Sequence, residues 1–199
     1  MTDTTDHQAT GLAKRPKRAD ARRNYEKLLA AAGEAFAEHG GEASLEDIAR
    51  RAGVGIGTLY RHFPTRQELL EALYIDEVEE MSRAAEGLAD LEPWDALRTW
   101  LHQYVQFAQT KRAIADALLA TIDQDAEVFF ACRTAITAAG NMLLRRAQEA
   151  GVVRPDTTFL DVGRMVAGIG AIPAADPEQV ERILDVALDG LRYQAAVAE

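Results

Sequence analysis

Residues Ser44–Phe63 read SLEDIARRAGVGIGTLYRHF, and this stretch decides the fold. Ser44-Leu45-Glu46-Asp47 has the form of a capping box, which opens a short helix through Ile48, Ala49 and Ala52. Gly53-Val54-Gly55 then turns the chain into a second short helix that ends near Phe63-Pro64. Two short helices joined by a tight glycine-containing turn make a helix-turn-helix, in which the first helix braces and the second enters the major groove of DNA. Each demand of that arrangement is met in turn. Ile48 and Ala49 face inward, small Ala52 allows close helix crossing, and Gly53 supplies a residue able to take positive φ. Leu59 and Phe63, four apart, anchor the second helix. Thr58, Tyr60, Arg61 and His62 are left on its outward side, with Gly55, Ile56 and Gly57 at its exposed start.

Outward from this stretch the chain reads as helix after helix. Upstream, Tyr25, Leu28, Leu29, Ala32 and Phe36 recur at helical spacing over Asp20–His39, and Gly40-Gly41 supply the stop. Downstream, Thr65-Arg66-Gln67-Glu68 is a second capping box, and the helix it starts runs through Leu69, Leu70, Leu73, Val78 and Met81. Further helices are expected over about 93–110, 112–121, 125–150, 157–172 and 177–195. Pro93 and Pro177 suit first-turn positions, and Gly151 and Pro155 bracket a break. The expectation is an all-α chain of about nine helices. It divides into a basic arm over 1–19, a three-helix head over 20–64 and a helical body over 65–199.

Composition sets the bounds on function. The 199 residues are 48% hydrophobic and 27% charged, within the globular range. Net charge is −10, which taken alone speaks against a nucleic-acid partner, but the charge is unevenly spread. Residues 1–64 carry 10 basic and 9 acidic side chains, net +1; residues 65–199 carry 12 and 23, net −11. Such asymmetry points to a DNA-binding segment attached to something else. Lys14, Arg15, Lys17, Arg18, Arg22 and Arg23 form a basic run that reads either as a mobile arm on DNA or as a solvated tail. The single cysteine, Cys132, cannot close an internal disulfide and lies in an apolar helical stretch. With a polar N-terminus and no span of membrane length, the chain is expected to be cytoplasmic.

The run EKLLAAAGEAFAEHGGEASLEDIARRAGVGIGTLYRHFPTRQELLEAL resembles the TetR family of transcriptional regulators, and WDALRTWL is similar to one actinobacterial branch of it. The resemblance implies a homodimeric repressor on a palindromic operator, released by a small molecule in the C-terminal domain; an activator would carry the same head. It also implies roles residue by residue. Thr58 and Tyr60 match positions that contact phosphates or base edges, His62 a backbone-contacting position, and Ser44 a phosphate-contacting hydroxyl. Arg66 stands where lysine is usual and would grip phosphate in bidentate fashion. Gly55 replaces a frequent serine. Ile56 replaces a commonly polar residue, which favours apolar contact with a thymine methyl.

The body invites two further expectations. Trp94, Leu97, Leu101, Tyr104 and Ala108 form one helical stripe. Trp100, Tyr104, Phe107, Phe129, Phe130 and Asn141 are candidates for a pocket that takes an apolar or aromatic effector, although most such aromatics serve simply as core. Val180, Ile183, Leu184, Ala187, Leu188 and Leu191, facing a partner stripe of Phe159, Val162, Met165, Val166 and Ile169, suggest a homodimer interface over about 157–195, with intramolecular core as the alternative. No nucleophile–base set, metal-ligand cluster or phosphate-cradling glycine loop is present, so neither an enzyme nor a resident cofactor or metal is expected.

Overall fold

The computed structural model describes residues 15–120, 127–173 and 176–192. Eight α-helices and one 3-10 turn account for the regular structure among them. Helix α1 (Ala19–His39) buries Tyr25, Leu28, Leu29, Ala32, Ala35 and Phe36 along one face and stops at Gly40, whose φ of 53° an L side chain rarely adopts. The 3-10 turn Gly40–Glu42 leads to α2 (Leu45–Arg51), capped by Ser44, whose Oγ accepts from the Asp47 amide at 3.3 Å. Gly53 then turns the chain with φ 68° into α3 (Ile56–His62). A Cβ built at Gly53 would meet nothing within 4 Å, so the glycine is required by backbone conformation and not by space.

Helix α4 (Arg66–Glu86) begins with the capping box foreseen: Thr65 Oγ1 accepts from the Glu68 amide while the Glu68 carboxylate accepts from the Thr65 amide. Helix α5 (Pro93–Leu119) is 27 residues long and unbroken, where the sequence reading expected two helices over 93–110 and 112–121. Nothing at Thr110-Lys111-Arg112 can stop a helix, since neither glycine nor proline is there. The charge that interrupts the apolar pattern is instead turned inside the protein. Helices α6 (Glu127–Glu149), α7 (Phe159–Gly170) and α8 (Pro177–Asp189) complete the body. α7 is opened by a Thr158/Asp161 box, and α8 is capped by Asp176 with proline in its first turn.

Two hydrophobic cores result. The body core gathers Val78, Met81, Leu97, Trp100, Leu101, Cys132, Leu144, Phe159, Val166 and Leu184 among others. Trp100 is fully enclosed, its indole N–H donates to the Met81 carbonyl at 2.9 Å, and its ring stacks on Tyr104 at 5.4 Å. The head core joins α1–α3 to Leu69, Leu70 and Leu73 of α4, Ile114 and Leu118 of α5, and Phe129 of α6. The two cores therefore meet along α4, whose first half seals the head and whose second half enters the body.

The stripes assigned to a dimer interface divide differently. Val180, Leu184, Leu188 and Leu191, with Phe159, Val162, Val166 and Ile169, are buried within one chain and form body core. Polar ties hold α8 on α5: Arg98 and His102 donate to or share protons with Asp185 at 2.6 and 3.1 Å, His102 also meets Glu181, and Gln106 donates to Glu181 at 2.9 Å. Cys132 is buried, and burial pushes its thiol up to about 11, which keeps it protonated and unreactive at neutral pH. Among the described residues no helix is long and apolar enough to cross a membrane.

Candidate functional site

Helix α3 presents the face that its sequence spacing requires. Leu59 and Phe63 are buried, while Gly55, Ile56, Gly57, Tyr60 and Arg61 lie exposed and Thr58 and His62 half-exposed. Tyr60 holds 46% of its surface open to solvent despite its aromatic ring. Nothing lies within 4 Å of a Cβ built at Gly55 or Gly57, so this end of the helix is open ground. His62 is braced edge-on against Tyr25, with ring centroids 6.2 Å apart. Burial, and then the Arg61 charge beside it, hold the imidazole below the usual histidine value, so the ring is neutral at pH 7. It offers hydrogen bonding from a fixed orientation and no net charge.

Several basic residues near this face are committed to the protein itself. Arg51 forks onto Glu38 at 2.9 and 2.7 Å and reaches Asp47 at 2.6 Å; these hydrogen bonds raise its pKa and lower those of both acids. Arg50 also pairs with Asp47. The Ser44 hydroxyl donates to Glu46 at 2.9 Å while capping α2. Arg66, read from the sequence as a phosphate grip, is placed otherwise. Its guanidinium donates to the carbonyls of Ala43 at 2.5 Å and Gly41 at 2.7 Å and lies 5.0 Å over the Phe36 ring. It fastens the α1–α2 connection to the start of α4, a use of the guanidinium fork that sequence spacing could not disclose. Arg15 turns back onto α4, donating to Asp76 and to Glu79, the latter at 3.0 Å. The rest of the predicted arm up to Lys14 lies outside the described residues.

A cavity of about 330 Å³ opens between α4, α5, α6 and α7. Tyr104 and Phe107, two of the six predicted pocket residues, line it. The other four are elsewhere. Trp100 stands behind Tyr104, wholly in the core. Phe129 belongs to the head core, edge-on to Tyr74 at 5.2 Å. Phe130 is 65% exposed and, with Met142, lines a separate groove on the outer side of α6. Asn141 is half-buried and lines neither space. The spacing of aromatics along one helix says which of them share a face, but not whether that face meets a void or a neighbour.

The residues that the sequence reading missed carry the cavity's character. Tyr74 and Val78 come from α4, Lys111 from the unexpected middle of α5, Cys132 from α6, and Phe159 and Gly163 from α7. Lys111 is only 7% exposed. Its Nζ lies 3.5 Å from the centre of the Tyr74 ring and 4.5 Å from that of Phe107, and donates to the Tyr74 carbonyl at 3.3 Å. Burial pulls its pKa down to about 7. A lysine inside an otherwise apolar helical stripe was the one legible signal.

Comparison with known proteins places both halves. Residues 28–73 match the family model described as bacterial regulatory proteins, tetR family, and residues 92–193 match the one described as transcriptional regulator SbtR-like, C-terminal domain. The chain is 27% identical to the HTH-type transcriptional regulator TtgR of Pseudomonas putida over 202 residues, covering 89% of this chain and 96% of that one. Among solved structures it resembles the TetR transcriptional regulator SCO0520 from Streptomyces coelicolor, with 42% identity, a TM-score of 0.76, and 86% and 99% of the two chains covered. It also resembles a TetR transcription regulatory protein from Mycobacterium vanbaalenii, with 35% identity, a TM-score of 0.73, and 89% and 99% covered. These relatives are regulators and not enzymes. With a helix-turn-helix head whose α3 face stands open and a helical body matched over residues 92–193, the chain belongs to the TetR family of DNA-binding transcriptional regulators.

Proposed function

We propose that the protein is a cytoplasmic repressor that binds an inverted-repeat operator as a homodimer and releases it when a small molecule fills the cavity between α4 and α7. One observation carries the coupling: Tyr74, on α4, packs against both cores. Its ring meets Phe129 of the head core edge-on, and it also touches Lys111 at the cavity. A group that displaces Lys111 or Tyr74 acts on the helix that seals the head. A ligand shifts the two head positions only by its difference in affinity for them, and a coupling of ~1–3 kcal/mol, or 5–150-fold, is enough for a switch.

On DNA, α3 would lie in the major groove with Thr58, Tyr60, Arg61 and His62 toward phosphates and base edges, Gly55 and Gly57 allowing close backbone approach, and Ile56 set for a thymine methyl. Ser44 contributes at the start of α2. The acidic body would repel DNA and so favour head-first approach. Tyr60→Ala should weaken operator binding by about 10-fold or more while leaving the head folded, because the ring supports no core. Fluorescence anisotropy on duplexes covering the DNA that flanks the protein's own gene, at two salt concentrations and against scrambled DNA, reads this directly. Unchanged affinity in the variant would remove Tyr60 from the interface.

The dimer reading rests on the apolar surface that the body leaves open. Gly168 and Ile172 on and just beyond α7 and Val186 on α8 are exposed, Val186 at 76%, and beside them Met165, Ile183 and Ala187 are half-buried against the body core. Val186→Glu should yield monomers by light scattering at micromolar concentration and weaken operator binding by about 100-fold, since two linked heads gain that much through effective concentration. A monomeric wild type would refute the dimer.

A further inference from the structure

The lining of the cavity is unbalanced in charge. Four cationic side chains reach it: Lys111 from within, and Arg112, Arg133 and Arg164 at its exposed rim. Among the described residues no aspartate or glutamate lines it, in a chain that carries ten more acids than bases. Lys111 is more than nine-tenths buried, and the contacts its ammonium finds among the described residues are two aromatic faces and one carbonyl at 3.3 Å. No described carboxylate lies within ion-pair distance of it. Glu77, one turn along α4 with its carboxyl toward Gly33 of the head, is the carboxylate whose charge acts on it. A buried ammonium with so few acceptors is a poor structural element, because its desolvation is only partly offset. The remainder of the wall is mostly apolar, built from Phe107, Ile136, Phe159 and the ring of Tyr104, with Thr137 adding a hydroxyl.

We propose that the cavity takes an organic anion, a molecule with an apolar body and a single carboxylate or phosphate head, the head meeting Lys111 and the body lying among Tyr104, Phe107 and Phe159. This rests on reading the cavity as the effector site, and it goes beyond the apolar or aromatic ligand that the sequence suggests. The anion would supply the acceptor that the ammonium lacks, and the rim arginines would draw it in. Lys111 is also the residue that touches Tyr74, so a head group drawing the ammonium away from the Tyr74 ring would act where the two cores meet.

Protonation gives the proposal a second readout. Lys111 sits near 7 in the folded protein against an ordinary 10.5. Above pH 7 the folded chain binds fewer protons at this site than the unfolded chain, so the site adds stability as pH rises from about 7 toward 10.5. Tyr74 and Glu77 on α4, Tyr104 and Arg112 on α5, Cys132 and Arg133 on α6 and Arg164 on α7 share this surrounding. An anion binds the protonated form, so its binding should tighten as pH falls from 8 to 6 and take up a proton. Lys111→Met should melt no lower than wild type and lose the site's pH dependence.

The test is isothermal titration of the full-length protein with decanoate and decyl phosphate against decanol and methyl decanoate, and with naphthoate against naphthalenemethanol, repeated on Lys111→Met. The expected result is that one acid class binds wild type at least 10-fold more tightly than its neutral counterpart, with proton uptake. Lys111→Met should lose about 10–100-fold in affinity for the acid and little for the neutral molecule. Decanoate and decyl phosphate separate the two head groups. Equal binding of acids and neutral molecules, or an unaltered preference in Lys111→Met, would overturn the anion assignment and leave the effector site standing. Binding of neither series to wild type would overturn the effector site itself. Should Lys111→Met fail to fold by circular dichroism, the double substitution Arg133→Gln and Arg164→Gln at the exposed rim tests the same claim, with a smaller loss expected for acids alone.

Discussion

Trp100→Ala is expected to lower the stability of the body by about 3–5 kcal/mol, the usual cost of emptying the space of a large buried aromatic. The indole is enclosed on all sides, stacked on Tyr104 and tilted against Phe159 at 5.6 Å, and it bridges α5 to the carbonyl of Met81 on α4. Trp100→Phe separates the parts. It keeps most of the packing and loses the hydrogen bond, worth about 0.5–1.5 kcal/mol net. Urea denaturation followed by far-UV circular dichroism reads both. The head should be spared, because its core contains no atom of Trp100. Trp100→Ala is therefore expected to bind operator in the cold and to lose effector response first. A variant that lost DNA binding and body stability together would show that the two cores unfold as one.

Gly140→Ala should also destabilise the body, with a single methyl group. A Cβ at Gly140 would stand 2.1 Å from Cε2 of Phe159 and 2.3 Å from its Cζ, so one of the two must move. Phe159 has little freedom to yield, buried between Trp100, Tyr104 and the backbone near Gly163. Overpacking of this kind costs about 1–3 kcal/mol or more, against the ~1 kcal/mol that alanine gains over glycine in a helix. Gly33→Ala on α1 is the matched control. There a Cβ would make ordinary contacts at 3.8 Å with Leu73 and Glu77, and the change should be neutral or stabilising by up to about 1 kcal/mol. Since Phe159 lines the cavity, the ring displaced by Gly140→Ala should also narrow it, and anion binding should fall even where the protein stays folded. Thermal melts with and without decanoate read both effects, and a Gly140→Ala protein as stable as wild type would contradict the packing described.

Much of this molecule was legible along the chain because much of it is local. The cap at Ser44, the box at Thr65–Glu68, the positive φ of Gly53 and the Leu59/Phe63 anchor each depend on partners within a few residues. The outward face of α3 follows from the helical period once its buried side is known. For these elements sequence spacing is geometry.

Other features depend on residues far apart in the chain. Arg66 looks like a phosphate ligand until the carbonyls of Gly41 and Ala43 come within 2.7 Å of it. Phe129 and Phe130 are neighbours in sequence, yet one closes the head core and the other faces solvent, because α6 turns successive side chains about 100° apart. Lys111 reads as a break in an apolar pattern until Tyr74 and Phe107 enclose it. The stripe on α8 is ambiguous for a related cause. Leu184 and Leu188 are equally suited to a partner subunit and to their own body, and the packing of α8 on α5 and α7 chose the body. Most of the helices, their caps and the helix-turn-helix head were thus determined by the sequence alone, through interactions that close within a turn or two. The charge of the cavity, the course of α5 and the packing of Tyr74 against both cores were decided only by tertiary structure, since burial and partner choice depend on which distant helices arrive.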